Sequence, residues 1–269
     1  MNLINSWKIM RKDWKGTIRN KEILAAVIIL PMIFTIFLPV FMMIAALVDP
    51  FTFLAEYPGA STFIVLLNIS HYDVHLQAAI FMIKWMVIPF FLFVPGFTSS
   101  FISADSFAGE KERKTMENLA LLPITKTELI LGKVMTSFIP SLIISILCFF
   151  GLGLITNLMF LSYLNGNLLI FTDLSDLLIG FLISPLISFL FIQINVIISS
   201  RVKTVKSAQS IGGSLIVPLF GLFFVQMVNP AFLSPVIIII IAGIISVLCL
   251  VFIRLASKVL DIERLILTL

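Results

Sequence analysis

Residues 109–133 read GEKERKTMENLALLPITKTELILGK and place nine charged side chains in 25 positions. The rest of the chain is mostly apolar: 60% of the 269 residues are hydrophobic and only 12% are charged. A water-soluble domain of this size cannot cover its core with so few charged residues, and a mean hydropathy of +1.15 is typical of a membrane protein. The charged segment therefore interrupts a chain that is otherwise built to lie in a bilayer.

Six apolar runs are long enough to cross a membrane. A transmembrane helix needs about 20 mainly apolar residues. Runs of this kind cover residues 23–48, 78–103, 134–156, 177–199, 208–228 and 235–253. We therefore expect a single all-α membrane domain over residues 1–269, with six spans and the charged segment between spans two and three. The first run is too long for a signal-peptide core, so we expect it to be retained as a span.

The basic residues are concentrated on one side of these spans. Of the 18 Lys and Arg residues, 17 precede span one, follow span six, or lie between spans two and three or four and five. Because basic residues near span ends are retained in the cytoplasm, we expect a multi-pass protein of the cell membrane with both termini cytoplasmic. The exception, Lys84, is expected to reach the headgroups beside Trp85. The net charge of +4 then reflects topology, and no nucleic-acid partner is indicated.

Residues 1–20 have the pattern of an amphipathic helix lying in the membrane interface. Apolar residues recur there every three or four positions: Leu3, Trp7, Met10, Trp14 and Ile18. This spacing places them on one helical face, opposite the basic side chains. We therefore predict an interfacial helix in contact with the lipid bilayer, with Trp7, Trp14 and Trp85 as membrane-interface anchors.

The Gly132-Lys133 pair in the charged segment invites comparison with a nucleotide-binding loop. A P-loop with this pair would need Gly at position 127 and Ser or Thr at position 134, but the chain has Thr127 and Val134. A disordered linker is disfavoured because residues 116–122 include several apolar side chains. The segment is therefore predicted to be structured and not to hydrolyse ATP.

A short helix followed by a turn accounts for the spacing within the segment 104–128. Glu110 and Lys114 form an i,i+4 pair, and Pro123 is expected to end the helix after residue 122. Thr125 and Glu128 match a capping box, which predicts that the next helix starts there and continues as span three. The residues alone leave two roles open for this helix, a solvated anchor that fixes topology or a surface that binds a partner.

The segment resembles the signature that follows span two in the type-2 ABC-transporter permease family. The order of elements, an N-terminal helix followed by six spans, is also similar to that family. The resemblance implies that the segment is a cytoplasmic coupling helix that docks into a separate ATPase subunit. The positions that match the family signature are Glu110, Glu112, Arg113, Lys114, Thr115 and Glu117. Many members have Gly where this chain has Lys114.

The same resemblance implies the partners of the chain. ATP and Mg would be bound by the partner ATPase, so this chain would need no cofactor of its own and would not be an enzyme. Two permease copies, as a homodimer or a near-identical pair, would act with two ATPases as an exporter. Such permeases move substrates of many kinds, and one sequence does not identify the substrate.

Few polar residues lie within the apolar runs. Gln193, Asn195 and Gln226 are candidates for lining a translocation path, although polar side chains in spans more often bond across helices. Gln193 and Asn195 are two positions apart, so one is expected to face packing and the other the path. His71, Asp73 and His75 have spacing that could suit a metal, but without a fourth ligand nearby we predict no metal site.

A self-contained secondary transporter or an intramembrane enzyme is the alternative function. An ion-coupled carrier usually has an ionisable residue near the middle of the bilayer, and an intramembrane hydrolase needs a nucleophile with a base. No Asp, Glu or His falls at the centre of the six apolar runs. The sequence therefore favours the permease.

Overall fold

A computed structural model of the chain describes residues 3–50, 54–55, 60–113, 125–161, 168–202, 204–228 and 234–259. The regular elements within these ranges are all helical. Six helices are long and apolar enough to cross a membrane, which confirms the six predicted spans. Numbered in chain order, spans one to six are Lys21–Ala45, Val74–Glu112, Glu128–Phe160, Leu174–Arg201, Val205–Val225 and Pro235–Ala256.

A helix over Leu3–Arg19 precedes span one and is separated from it by Asn20 alone. The side-chain oxygen of Asn20 accepts a hydrogen bond from the backbone N–H of Glu22 at 3.2 Å, which caps the helix Lys21–Met32. The buried side chains of the N-terminal helix recur at helical spacing: Ser6, Ile9, Met10, Asp13 and Thr17. This face is held against spans two and three by polar contacts.

The N-terminal helix has a second, exposed apolar face beside the buried one. Trp7 and Ile18 are 55% and 51% exposed, and Trp14 is half-buried. Met10 is only 3% exposed, so it belongs to the packing face and not to the exposed face with Trp7. The helix therefore presents distinct packing, apolar and basic faces.

Spans one, two and four each contain a π-helical turn. The turns are Ile33–Phe37, Ile83–Val87 and Ile179–Ile183, and the helices that follow them are Leu38–Val48, Ile88–Phe90 and Ser184–Arg201. A proline stands two residues after each turn, at Pro39, Pro89 and Pro185. Proline donates no backbone hydrogen bond and its ring clashes with the carbonyl four residues earlier. A wider turn at that carbonyl relieves the clash while the helix continues.

The remaining helices are regular. Span two begins as Val74–Met82 and ends as Phe93–Glu112, while span four begins as Leu174–Leu178. Span three lies within one helix, Lys126–Phe160; span five combines Val205–Ser214 and Ile216–Val228; and span six lies within Pro235–Val259. A short helix, Ala60–Leu66, lies between spans one and two.

Span three begins at the predicted position. The Thr125 hydroxyl accepts a hydrogen bond from the Glu128 N–H, and the Glu128 carboxylate accepts one from the Thr125 N–H, both at 3.3 Å. This is the reciprocal pair of a capping box, so the sequence prediction is confirmed.

Span two is the centre of the bundle. Its apolar residues are buried over most of their length, whereas those of spans five and six are largely exposed, as expected for helices that face lipid. Span two is also longer than the predicted run 78–103, because its charged residues beyond position 103 are paired within the protein. We call the end of the bundle where span two finishes and span three starts the basic end.

Lys84 lies near the opposite end of span two, and the expectation that it reaches the headgroups is wrong. It is 6% exposed and donates hydrogen bonds to Asp173 and, at 3.1 Å, to Asp176 at the start of span four. Because Asp176 is also buried, the pairing compensates two charges that would otherwise be costly to bury. Lys84 therefore links span two to span four.

Trp85 does not contact the membrane interface either, which corrects its assignment as an anchor. It is 2% exposed, and its ring lies 4.2 Å from that of Phe81 and 6.0 Å from that of Phe63 between centroids. Phe63 belongs to the short helix Ala60–Leu66. That helix covers Trp85, and the sequence pattern around Trp85 did not predict it.

Candidate functional site at the basic end of the bundle

Charged side chains of the N-terminal helix, span two and span three meet at the basic end. We call this group the charge cluster, and its members are Lys12, Asp13, Asp105, Glu110, Arg113 and Lys133. It contains three carboxylates and three cationic groups. In the chain, Arg113 directly precedes residues 114–124, the middle of the charged segment, and Lys133 follows them.

Glu110 is at the centre of the charge cluster. Its carboxylate accepts hydrogen bonds from Lys133 of span three and, at 3.1 Å, from Lys12 of the N-terminal helix. Glu110 and Lys133 are only 6% and 2% exposed. The Lys133 ammonium also lies 5.0 Å from the centroid of the Phe107 ring, a favourable cation–π distance. One buried carboxylate thus connects three helices.

Asp105 forms a second connection between the same elements. Its carboxylate accepts a hydrogen bond from Arg113 at 2.7 Å and another from the Thr17 hydroxyl at 3.3 Å. Asp105 is 3% exposed, whereas the Arg113 side chain is about half-exposed. The last two turns of span two are therefore bonded both to themselves and to the N-terminal helix.

Asp13 is the carboxylate of the cluster whose negative charge is least compensated by nearby donors and cations. It is buried, accepts a hydrogen bond from the Ser106 hydroxyl at 3.4 Å and lies 3.9 Å from the Lys12 ammonium. Burial raises the pKa of Asp13 above its ordinary value, and the Glu110 charge raises it further, although Lys133 and Lys12 oppose both effects. The net direction is upward because desolvation is the largest cause.

The two residues that follow Glu110 contact other spans. Lys111 donates to the backbone carbonyls of Ser199 and Ser200 at 3.3 and 2.8 Å, and these belong to the last turn of span four. A cation there satisfies carbonyls that lack a helical partner and opposes the negative end of the helix dipole. Glu112 accepts from the backbone N–H of Val205 at 2.7 Å, at the start of span five, where a carboxylate is favoured.

Gly132 allows the N-terminal helix to approach span three closely. A Cβ atom at this position would lie 2.9 Å from the Ser6 carbonyl oxygen and 3.0 Å from the Ile9 Cβ. Nearby, the Ser6 hydroxyl donates to the Glu128 carbonyl oxygen at 2.9 Å. In the Gly132-Lys133 pair, the glycine thus provides the space and the lysine provides the ion pair.

The positions expected to dock a partner divide into three groups. Glu110 is buried and paired within the chain, and its role as a docking contact stays a prediction. Glu112 and Arg113 are exposed but also bond within the chain. The described helix that carries Glu110 ends at Glu112, and the predicted helix end at residue 122 lies outside the described residues. Lys114, Thr115 and Glu117 lie outside the described residues.

The sequence could not have revealed the partners of Glu110, because they lie 23 and 98 positions away in the chain. The i,i+4 rule pointed to Lys114 since it considers one helix at a time. An unusual feature was nevertheless visible: several acidic residues stand among basic ones on the side of the membrane where basic residues alone would fix topology. That mixture is what a paired cluster requires.

Of the polar residues proposed to line a path, Asn195 is a packing contact. Its amide donates to the Ser100 hydroxyl at 2.9 Å and to the Phe191 carbonyl at 3.0 Å, which joins spans two and four. Gln193 is 4% exposed, and neither of its amide atoms has a hydrogen-bond partner among the described residues. Gln226 lies on the helix Ile216–Val228, but its side chain falls outside the described part of the chain.

The geometry at the basic end can be compared with known proteins. A family model described as "ABC-2 family transporter protein" matches residues 7–234, which include the whole charge cluster and spans one to five. None of the curated proteins compared with the chain matches it.

Proposed function

The chain belongs to the ABC-2 transporter family, and we propose that it is the permease subunit of an ATP-driven exporter. A separate ATPase subunit binds ATP and Mg, and its binding surface on this chain lies within residues 109–133. Lys114, Thr115 and Glu117 are the proposed contacts. They match the family signature.

The observation that carries this proposal is the set of contacts that residues 110–113 make with other parts of the chain. Glu110 bonds the N-terminal helix and span three, Lys111 bonds the end of span four, and Glu112 bonds the start of span five. A force applied to residues 114–124 would therefore be transmitted to five elements at once, namely the N-terminal helix and spans two to five. A segment that served only to fix topology would need no such connections.

Buried ion pairs suit this mechanical role. Separating Glu110 from Lys133 would leave a charge without compensation in a low-dielectric environment, which is costly. The helices they connect are therefore expected to move together as a unit when the ATPase moves. The proposed mechanism is a rigid-body displacement of the basic end in response to ATP binding and hydrolysis.

The placement in the membrane follows from the same proposal. The basic end faces the cytoplasm of the cell, and the N-terminal helix lies in the interface with Trp7 and Trp14 at headgroup depth. Two copies of the chain form a homodimer, because each of two ATPases requires a docking segment and closed two-fold assemblies are common. Gln193, whose amide is buried without a partner, is the favoured path-lining residue of the three candidates.

The test is a charge reversal within the segment, compared with the same reversal elsewhere on that side. Glu117→Lys and Glu22→Lys both add positive charge at the basic end, so both variants are expected to insert normally. Glu22 is exposed and lies at the start of span one, outside the segment. Association with the partner ATPase should weaken by about 2–5 kcal/mol for Glu117→Lys if Glu117 is in a buried charge pair, and by less than about 1 kcal/mol for Glu22→Lys.

Transport is measured alongside association. Loss of ATPase association and of ATP-dependent export in Glu117→Lys, with both retained in Glu22→Lys, supports the proposal. If Glu117→Lys binds the ATPase and transports as well as the parent, the segment does not couple through Glu117 and this docking assignment is wrong.

A further inference from the structure

An apolar groove lies between the N-terminal helix, span one and span three. Trp14 and Ile18 of the N-terminal helix, Leu24 and Ile28 of span one and Ile143 of span three contribute to its walls. Its volume is about 290 Å³, and its lining is almost wholly apolar. Ile18, Ile28 and Ile143 are 51%, 48% and 45% exposed, so the groove is open to the surroundings of the protein.

The depth of the groove corresponds to the acyl region of one leaflet. Ile143 follows Lys133 by ten residues on one continuous helix, so it lies about 15 Å beyond the charge cluster toward the middle of the bundle. The hydrocarbon core of a bilayer is about 30 Å thick. The groove therefore extends from the charged border of the membrane to about the middle of the hydrocarbon.

Two exposed cationic residues of the N-terminal helix directly follow groove residues in the sequence. Lys15 and Arg19 each follow a groove residue in the chain, Trp14 and Ile18, and stand one helical turn apart. Both are exposed, and neither forms an ion pair with a described residue. Lys21 is exposed at the same junction, where Glu22 is the neighbouring acid. The groove residues of the N-terminal helix are thus followed by exposed positive charges.

We propose that this groove binds one acyl chain of an anionic phospholipid and that Lys15 and Arg19 bind its headgroup phosphate. An apolar channel next to two exposed cations matches the two parts of such a lipid, since the chain buries methylene groups and the headgroup supplies negative charge. Each cation is expected to favour an anionic over a zwitterionic lipid roughly fivefold. The site is independent of the proposed ATPase coupling.

The three tryptophans of the chain provide a test within the protein itself. Trp14 lines the groove, Trp7 is exposed on the same helix outside it, and Trp85 is buried. Three single-tryptophan variants, in which the other two are replaced by Phe, are reconstituted in zwitterionic nanodiscs. Fluorescence quenching is then measured as phosphatidylglycerol or phosphatidylcholine with brominated acyl chains is added in small mole fractions.

The expected result is selective quenching of Trp14. Brominated phosphatidylglycerol should quench Trp14 at a mole fraction at least about fivefold lower than brominated phosphatidylcholine. Lys15→Gln with Arg19→Gln should remove this preference, and Ile143→Phe with Leu24→Phe should reduce quenching of Trp14 by filling the groove. Each of these substitutions is also made in the variant that keeps only Trp85. Unchanged Trp85 emission there shows that the fold is retained.

Three outcomes would overturn the proposal. Equal quenching of Trp14 by the two lipids would mean that only bulk lipid contacts the groove. The same preference at Trp7 as at Trp14 would mean general enrichment of anionic lipid around a basic helix. Absence of quenching at Trp14 by either lipid would mean that protein, such as a second copy of the chain, covers the groove.

Discussion

Lys133 is the least exposed charged side chain of the charge cluster, at 2%, whereas the side chain of Lys12 is 61% exposed. Both donate to the same Glu110 carboxylate. We expect Lys133→Met to lower the free energy of unfolding by about 3–5 kcal/mol, because it leaves a buried carboxylate poorly compensated. Lys12→Met, the matched control, should cost no more than about 1 kcal/mol because that pair is exposed to water.

Unfolding in mixed detergent micelles measures this difference. The double variant Glu110→Gln with Lys133→Met should recover part of the loss, since no uncompensated charge is left. Equal costs for Lys12→Met and Lys133→Met would contradict the assignment of Lys133 as the buried partner.

The raised pKa of Asp13 predicts a specific pH dependence of the protein's stability. Because burial raises the pKa of Asp13 above its ordinary 3.8, the folded protein holds this proton more tightly than the unfolded chain does. The stability contributed by Asp13 is therefore full below pH 3.8 and is lost as the pH rises through the raised value. We expect Asp13→Asn to lose that slope and to be at least as stable as the parent at neutral pH.

The measurement is the free energy of unfolding of the parent and of Asp13→Asn from below pH 3.8 to neutral pH. Asn keeps an oxygen that can accept from the Ser106 hydroxyl, so the comparison isolates the charge. A variant that is clearly less stable than the parent at neutral pH would show that the attraction of Lys133 and Lys12 outweighs the desolvation of Asp13.

At the level of elements, Gly132 determines how closely the N-terminal helix packs on span three. Gly132→Ala places a Cβ 2.9 Å from the Ser6 carbonyl oxygen, so we expect a loss of about 1–3 kcal/mol in stability from overpacking. Gly151 lies on the same helix with no atom within 4 Å of an added Cβ. Gly151→Ala should therefore be neutral or stabilising by up to about 1 kcal/mol.

Thermal unfolding of the two variants in the same detergent provides the comparison. A Gly132→Ala protein as stable as Gly151→Ala would mean that the N-terminal helix is not held against span three at this distance.

Elements that depend on nearby residues were predictable from the sequence. The six spans follow from apolar runs, and the start of span three follows from Thr125 and Glu128, which are three residues apart. The π-helical turns were not predicted, although prolines within spans were visible signals. The end of span two was placed too early, at residue 103 instead of Glu112, because the paired side chains that fix Lys111 and Glu112 to spans four and five come from distant parts of the chain.

At the scale of the whole molecule, two charged groups on span two mark the width of the membrane. Lys84 and Asp105 are separated by residues 85–104, which are 20 uncharged residues or about 30 Å of helix. This length matches the hydrocarbon core of a bilayer. The Lys84 pairs and the charge cluster are therefore expected to lie at opposite borders of the membrane.

Cysteine labelling of intact cells tests this arrangement. Cys148 and Cys249 lie within spans three and six, so background labelling by a charged reagent should be low. We expect Ser70→Cys, exposed between spans one and two, to react from outside the cell, and Lys206→Cys at the basic end to react only after the membrane is opened. Outside labelling of Lys206→Cys with protection of Ser70→Cys would reverse the proposed orientation.

The candidate site was predictable in position but not in its contacts. The local sequence of residues 109–133 identified the segment, yet it assigned Glu110 to a partner protein when the structure pairs it with Lys12 and Lys133. It likewise treated Lys84 and Trp85 as membrane contacts, although Asp176 and Phe63 enclose them. Each of these contacts involves a partner distant in sequence, which periodicity within one helix cannot reveal.

The central claim is that an ATPase subunit binds within residues 109–133. Site-specific cross-linking in native membranes tests this claim most directly. A photoreactive group attached to Thr115→Cys should form a covalent product with a P-loop ATPase, identified by mass spectrometry, and the yield should change when ATP is added. The same group on Ser70→Cys, at the opposite end of the bundle, should not cross-link to that ATPase. If Thr115→Cys captures no ATPase in membranes where export is active, the claim is contradicted.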